Sequence, residues 1–324
     1  MRVVFWGSPD FAGTILDAVL ASAHTVVGAV TQPARPVGRG RRKDPRRVAP
    51  AAVGRAAEAA GLPVLAPGKP RGEEFLTALR ALGGEVFLVA AYGEILPAAV
   101  LEMPPHGALN VHASLLPAYR GAAPVTRAIL DGRRTTGITI MRMDAGLDTG
   151  PICIQAETTI EPEDSAGEVT RRLAALGGRL AVEALDRLAA GTLPEVAQDG
   201  DEASYAPKVE PAEARLDWSR PAEALARAAR AFDPWPGAWT TWRGERLKVF
   251  RIEPLPVGSA AAEESDRDHP PPGTIVAFDP HPHVRTGDGA VRLTSVQPAG
   301  GRRMTGADWV RGRGPVAGDR LGDA

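Results

Sequence analysis

The segment Leu109-Asn110-Val111-His112 sets an amide and an imidazole two residues apart, and a later glycine-punctuated loop, Met143 to Pro151, offers carboxylates at Asp144 and Asp148. Residues two apart in a strand share a face, so Asn110 and His112 project together. If that strand belongs to an open α/β sheet, both sit near its carboxyl end, where ligands bind. Acyl transfer to an amine needs a donor aimed at the developing oxyanion, a group that handles the amine's proton, and a carboxylate that orients and supports the imidazole. Asn110, His112 and Asp148 could supply all three. Each also has a structural role open to it: a strand-end amide, a satisfied half-buried histidine, a loop hydrogen-bonder. Spacing alone does not choose between these.

The surrounding pattern builds the sheet that such a site needs. Residues 2–6 are an apolar strand ending at Gly7-Ser8-Pro9-Asp10, followed by Phe11, Ile15, Leu16, Val19 and Leu20 at helical spacing, with Asp10 placed to cap. Further apolar runs at 25–30, 63–65, 86–91 and 107–112 alternate with helix-forming segments at 49–60, 73–82 and 122–130. Strands at 135–143 and 151–156 follow, then a long helix at 165–188. Apolar strands alternating with helices predict a Rossmann-like α/β domain with a parallel-rich sheet covered on both faces, over 1–190. Residues 191–212, rich in Pro, Gly, Asp and Glu, read as a linker. From 213 to 324 the pattern changes to a short helix at 221–232 and short runs at 247–252, 273–278, 283–286 and 291–296, which predicts a small OB-like β-barrel. The acidic, proline-rich stretch 258–272 reads as a solvated loop between two of those strands.

Composition narrows the function classes. With 324 residues and 44% apolar content the chain can bury about two ordinary cores. Its 36 glycines and 30 prolines, about a fifth of the chain, stay below the level of a low-complexity protein. The single cysteine, Cys153, rules out an intramolecular disulfide and fits a reducing compartment. No stretch approaches about 18 consecutive apolar residues, and the apolar run at Met1 is too short for a signal-peptide core, so a cytoplasmic protein off the membrane is expected. The six histidines are scattered, and His281-Pro282-His283 is read as a turn without acidic or cysteine companions; no metal is expected. Net charge is −1, yet the stretch 35–47 carries Arg35, Arg39, Arg41, Arg42, Lys43, Arg46 and Arg47 against Asp44 alone. Gly7-Ser8-Pro9 is not a dinucleotide fingerprint, and no P-loop is present.

Asn110-Val111-His112, Ser114-Leu115-Leu116-Pro117 with Tyr119-Arg120-Gly121, and Leu147-Asp148-Thr149-Gly150 together resemble the signature of the 10-formyltetrahydrofolate-dependent formyltransferases. The resemblance implies that Asn110, His112 and Asp148 are the catalytic trio, that Ser114, Leu115, Leu116 and Pro117 lie against the folate, and that Asp144 supports them. Val89 to Leu96 resembles the family's pteridine-binding segment, which implies folate contacts from the turn at Ala91, Tyr92, Gly93, Ile95 and Leu96. Glu85 stands where the family usually has aspartate, a change expected to matter little.

The acceptor is read from other segments. Gly7 to Phe11, Thr31-Gln32-Pro33 with Gly38-Arg39-Gly40, Ala214 to Ser219, Phe232 to Gly237 and Gln297 to Gly300 resemble the methionyl-tRNA formyltransferases across both domains. The implied reaction transfers the formyl group of 10-formyltetrahydrofolate to methionyl initiator tRNA, with a monomeric enzyme and a tRNA-binding C-terminal barrel. Several arginines on one stretch suit phosphate contacts, so Arg35, Arg39, Arg41, Arg42 and Lys43 are candidates for the tRNA, joined by Lys248, Arg302 and Arg303 from the barrel. After Arg42 the chain reads Lys43-Asp44-Pro45-Arg46-Arg47 where the family is commonly more apolar, which leaves open which loop residues engage. Rival readings are a folate-dependent formyltransferase for a small amine, a formyl-folate hydrolase, and a tRNA-binding protein without catalysis.

Overall fold

The structure, a computed structural model, describes residues 1–37, 44–255 and 270–323. The chain divides into two compact units, one of residues 1–124, 135–159 and 170–207, the other of residues 125–134, 160–169 and 208–324.

The first unit is laid down as β1 (Arg2–Gly7), α1 (Asp10–Leu20), β2 (Thr25–Val30), β3 (Arg35–Val37), β4 (Asp44–Ala49), α2 (Ala52–Ala59), β5 (Val64–Leu65), α3 (Glu73–Ala81), β6 (Val86–Ala90), α4 (Ala98–Leu101), β7 (Ala108–His112) and β8 (Arg120–Gly121). Then come α5 (Pro124–Leu130), which falls almost wholly in the second unit, β9 (Thr135–Arg142), β10 (Ile152–Thr159), α6 (Ala166–Ala189), whose first turn also belongs to that unit, and β11 (Tyr205–Ala206). Seven strands form one sheet in the order β10-β9-β7-β6-β1-β2-β5. From β7 to β5 the pairs are parallel, while β9 and β10 run antiparallel at the other edge. β1 and β6 are almost wholly buried, as near-continuous apolar strands covered on both faces should be. Trp6, Phe87 and Tyr92 pack together with Phe75, Trp6 meeting Tyr92 edge-on at 5.2 Å between ring centroids.

Three local expectations change. α1 starts after Pro9 with no side-chain cap, so Asp10 is not the cap; it lies in the first turn, where its charge complements the helix dipole. The helix expected from residue 49 begins at Ala52, because Pro50 holds Ala49 extended in β4. Part of the basic stretch, read as a loop, is paired: residues 35–37 and 44–47 lie in β3 and β4, with Arg35 opposite Ala49 and Val37 opposite Asp44.

The second unit contains α7 (Ala222–Ala231), β12 (Trp239–Trp242), β13 (Glu245–Pro254), β14 (Ile275–Phe278), β15 (Pro282–Arg285), β16 (Ala290–Pro298), β17 (Met304–Thr305) and α8 (Gly306–Arg313). It is a curled antiparallel half-barrel in the order β12-β13-β16-β15-β14, with β17 on β16. β12 and α8 were not anticipated. In α8 the glycines lower intrinsic helicity, but Thr305 Oγ1 accepts from Asp308 N at 3.0 Å and Gly314 closes the end at φ 64. His283, read both as the end of a turn and as the start of the run 283–286, lies buried in β15. Among the described residues no helix is long and apolar enough to cross a membrane.

Candidate active site

Asn110 and His112 share one face of β7, as their spacing requires, and the loop between β9 and β10 brings Asp148 to both. Asp148 Oδ1 accepts from Asn110 Nδ2 at 3.3 Å; Asp148 Oδ2 accepts from Gly121 N at 2.8 Å and stands 3.6 Å from His112 Nδ1. His112 is buried, and its Nε2 lies 2.9 Å from the Tyr119 carbonyl oxygen. A carbonyl only accepts, so Nε2 carries a proton, and in the neutral tautomer this leaves the Nδ1 lone pair available. Asp148 then sits where it supports a positive ring once Nδ1 takes a proton. The Asn110 amide is oriented by the same logic, since its oxygen would repel the carboxylate. One N–H is committed to Asp148 and the other is left for a further acceptor.

Backbone conformation concentrates here. Of the four non-glycine residues with positive φ among the described residues, Ala91 (46°), Tyr119 (60°) and Asp148 (54°) belong to the segments read as site. Such conformations cost on the order of 1 kcal/mol each and persist where surroundings hold them. Gly121, at φ 115°, answers a different need: a Cβ there would come within 2.7 Å of Tyr205 and 2.8 Å of the Ala206 carbonyl oxygen, across the pairing of β8 with β11.

The Ser114–Pro117 loop is held from beneath by a network that spacing does not reveal. Thr139 Oγ1, fully buried on β9, donates to Ser114 O at 2.7 Å and accepts from Leu116 N at 3.0 Å. Gln155 Nε2 on β10 donates to both Leu116 O (2.8 Å) and Thr139 Oγ1 (2.9 Å). The Ser114 hydroxyl is spent on Ala118 O at 2.6 Å, and Leu116 is buried. Leu115 and Pro117 are half-buried. A Cβ at Gly137 would collide with Leu115 Cδ2, so the glycine lets this loop lie on β9. The sequence signal for Thr139 is a polar residue inside the otherwise apolar Ile138-Thr139-Ile140-Met141.

In the turn after β6 the predicted residues divide. Ala91, Gly93 and Ile95 are exposed, Ile95 by 81%, whereas the Tyr92 and Leu96 side chains point into the Trp6 cluster. The Tyr92 hydroxyl is buried without a partner among the described residues, and burial, reinforced by the charge of Glu94, pushes its pKa up to about 12. What Tyr92 offers towards the site is backbone; its carbonyl accepts from Gln32 Nε2 at 3.4 Å. Asp144 accepts from Thr149 Oγ1 at 2.8 Å and from Gly146 N at 3.0 Å, bracing the loop that presents Asp148. Glu85 accepts from Arg2 N at 2.7 Å at the start of β1. Cys153 on β10 is buried, and desolvation pushes its thiol up to about 11, so it is not a nucleophile near neutral pH.

The tRNA candidates are placed unevenly. Arg39, Arg41, Arg42 and Lys43 lie outside the described residues, and Arg35 opens β3. In the second unit Lys248 Nζ donates to Pro236 O at 2.8 Å, and Arg303 pairs with Asp233 at 3.2 Å while its guanidinium lies over Phe250. Both therefore have internal duties. Arg302 is exposed.

The Formyl transferase family model matches residues 1–185, and that of the Formyl transferase C-terminal domain matches residues 208–314. The methionyl-tRNA formyltransferase of Thiobacillus denitrificans is 48% identical over 99% of this chain and 100% of its own. That of Thermus thermophilus is 47% identical over 99% of each. Among solved structures, HypX from Aquifex aeolicus in complex with tetrahydrofolic acid superposes at a TM-score of 0.65 with 17% identity, over 96% of this chain and 47% of that chain, a likeness of fold.

Proposed function

The chain belongs to the formyl transferase family, and we propose that Asn110, His112 and Asp148 are the groups with which it moves the formyl group of 10-formyltetrahydrofolate onto the α-amino group of methionyl initiator tRNA. The observation that carries the acceptor is identity of 47–48% to methionyl-tRNA formyltransferases over essentially the whole chain, C-terminal unit included. A small-amine formyltransferase has no need of the basic stretch 35–47, and a tRNA-binding protein without catalysis has no need of the Asn110–Asp148–His112 arrangement.

10-Formyltetrahydrofolate supplies the electrophilic formyl carbon. The turn fits a flat heterocycle: Ala91, Gly93 and Ile95 are exposed, and Ala91 and Gly93 take positive φ. Asn110 gives its free N–H to the oxygen that gains charge, as an oxyanion donor must. His112 Nδ1 receives the proton that the amine loses on attack, and Asp148 supports the resulting imidazolium. Nε2–H, tied to the Tyr119 carbonyl, keeps the ring from turning or changing tautomer.

The test is to incubate the protein with 10-formyltetrahydrofolate and either methionyl initiator tRNA or buffer alone. Formyl on the methionyl amine is expected; formate released equally in both mixtures would instead identify a hydrolase. In this reading the stretch from Arg35 to Arg47 docks the tRNA, the protein works as a monomer in the cytoplasm, and Arg302 adds a contact from the half-barrel. Phosphate contacts release counterions, so affinity falls with salt, by about 0.9 unit of logarithmic slope per contact on the duplex-DNA scale. The double variant Arg41→Ala/Arg42→Ala should weaken tRNA binding and flatten that slope by about one to two units, leaving folate binding unchanged. Arg39→Ala should do more, because its flanking glycines let backbone approach RNA closely. Parent-like salt titrations for both variants would make the stretch a solvated surface.

A further inference from the structure

We propose that Gln198 is a positioning residue for formyl transfer, its amide clamping the Asp148 loop to Arg120 so that the carboxylate stays beside His112; this rests on the catalytic reading above. Gln198 falls in the stretch read from sequence as a connector, and nothing in its surroundings there marks it. In the structure its amide is completely used. Nε2 donates to Asp148 O and to Gly150 O, both at 2.8 Å. Oε1 accepts from Arg120 Nε at 3.0 Å and from Arg120 Nη2 at 2.8 Å. Two carbonyls can only accept and a guanidinium can only donate, so the amide has one possible orientation.

These four bonds close a ring around the carboxylate. Arg120 is followed by Gly121, whose N–H holds Asp148 Oδ2, while the amide of Gln198 holds the Asp148 backbone from the other side. Asp148 needs an outside hold, because it sits at φ 54° in an exposed, glycine-rich loop. The clamp is itself anchored. Val196 exchanges two backbone bonds with Ile152 at the start of β10, at 2.8 and 2.9 Å. Further along, Ser204 Oγ accepts from Tyr119 N at 2.9 Å, and Ser204 O accepts from Arg120 N at 2.8 Å. Tyr119 is the residue whose carbonyl fixes the His112 tautomer. Residues 196–206 thus form a strap that holds the Asp148 loop through Gln198 and, through Ser204, the Tyr119 whose carbonyl orients His112.

None of these atoms reaches a reacting group, so the clamp acts through position alone, and a misplacement of about 1 Å can cost on the order of 10²-fold in rate. Two variants separate its halves. Gln198→Glu keeps an acceptor for Arg120 but loses both donors to the loop; Gln198→Met keeps the length and loses both ends. Both should lower kcat by about 10- to 100-fold, with KM for the folate and for the charged tRNA within about twofold of the parent. In the substrate-free proteins, the ring-nitrogen NMR signals of His112 should shift in both variants while the thermal midpoint stays close to the parent's. A parent that transfers no formyl group to methionyl-tRNA sinks the acceptor reading but leaves the ring-nitrogen comparison to decide the clamp. Unchanged His112 signals, or normal kcat in Gln198→Glu, overturn the clamp, as does a rate loss accompanied by equal changes in KM and in thermal midpoint.

Discussion

His112→Ala is expected to lower kcat by at least about 10²-fold, and Asp148→Asn by a similar factor, with folate binding still measurable in both. The geometry separates the two failures. Removing the imidazole removes the only basic nitrogen in the trio, the Nδ1 that Tyr119 leaves free by holding Nε2–H. Asp148→Asn is nearly isosteric and can keep an oxygen for the Gly121 N–H, so the loop should survive. What it loses is the negative charge 3.6 Å from Nδ1. The imidazolium formed on proton transfer is then unsupported, and a buried unsupported cation is costly. Steady-state kinetics on purified, folded variants decide this; near-normal turnover in either one ends the assignment of the pair.

Asn110→Ala should reduce kcat and kcat/KM together by about 10²- to 10³-fold, the scale of one lost oxyanion donor, with little change in either KM. Among the described residues the Asn110 side chain bonds Asp148 Oδ1, which leaves its second N–H for the substrate in this reading. Asn110→Asp should be at least as damaging, because it sets a second carboxylate against Asp148 and offers no donor. A change confined to KM would show that Asn110 binds ground-state substrate instead.

The amino-acid sequence by itself determined the alternating α/β order, the passage to short antiparallel strands after residue 213, and the face shared by Asn110 and His112. Apolar periodicity and the two-residue repeat of a strand are local properties, legible without coordinates. It also carried the resemblance, since Asn110-Val111-His112 and Leu147-Asp148-Thr149-Gly150 are contiguous words. Elements whose local signals are weak were legible only after folding. β12 follows a proline-rich turn, and the glycine-bearing α8 depends on its Thr305 and Gly314 caps.

Only the tertiary structure decided which atoms face which. Tyr92 and Leu96 stand in the predicted folate turn, yet their side chains are drawn into the core beside Trp6, because burying an aromatic ring and a leucine outweighs local position. Lys248 and Arg303, read as cations for RNA, are partly spent on Pro236 and Asp233. Thr139, Gln155 and Gln198 carry no motif, and each reaches its partners from another strand or from a segment far along the chain. Hydrogen bonds between such distant groups depend on sheet register and loop path, which are set by the packing of the whole unit and not by spacing along the sequence.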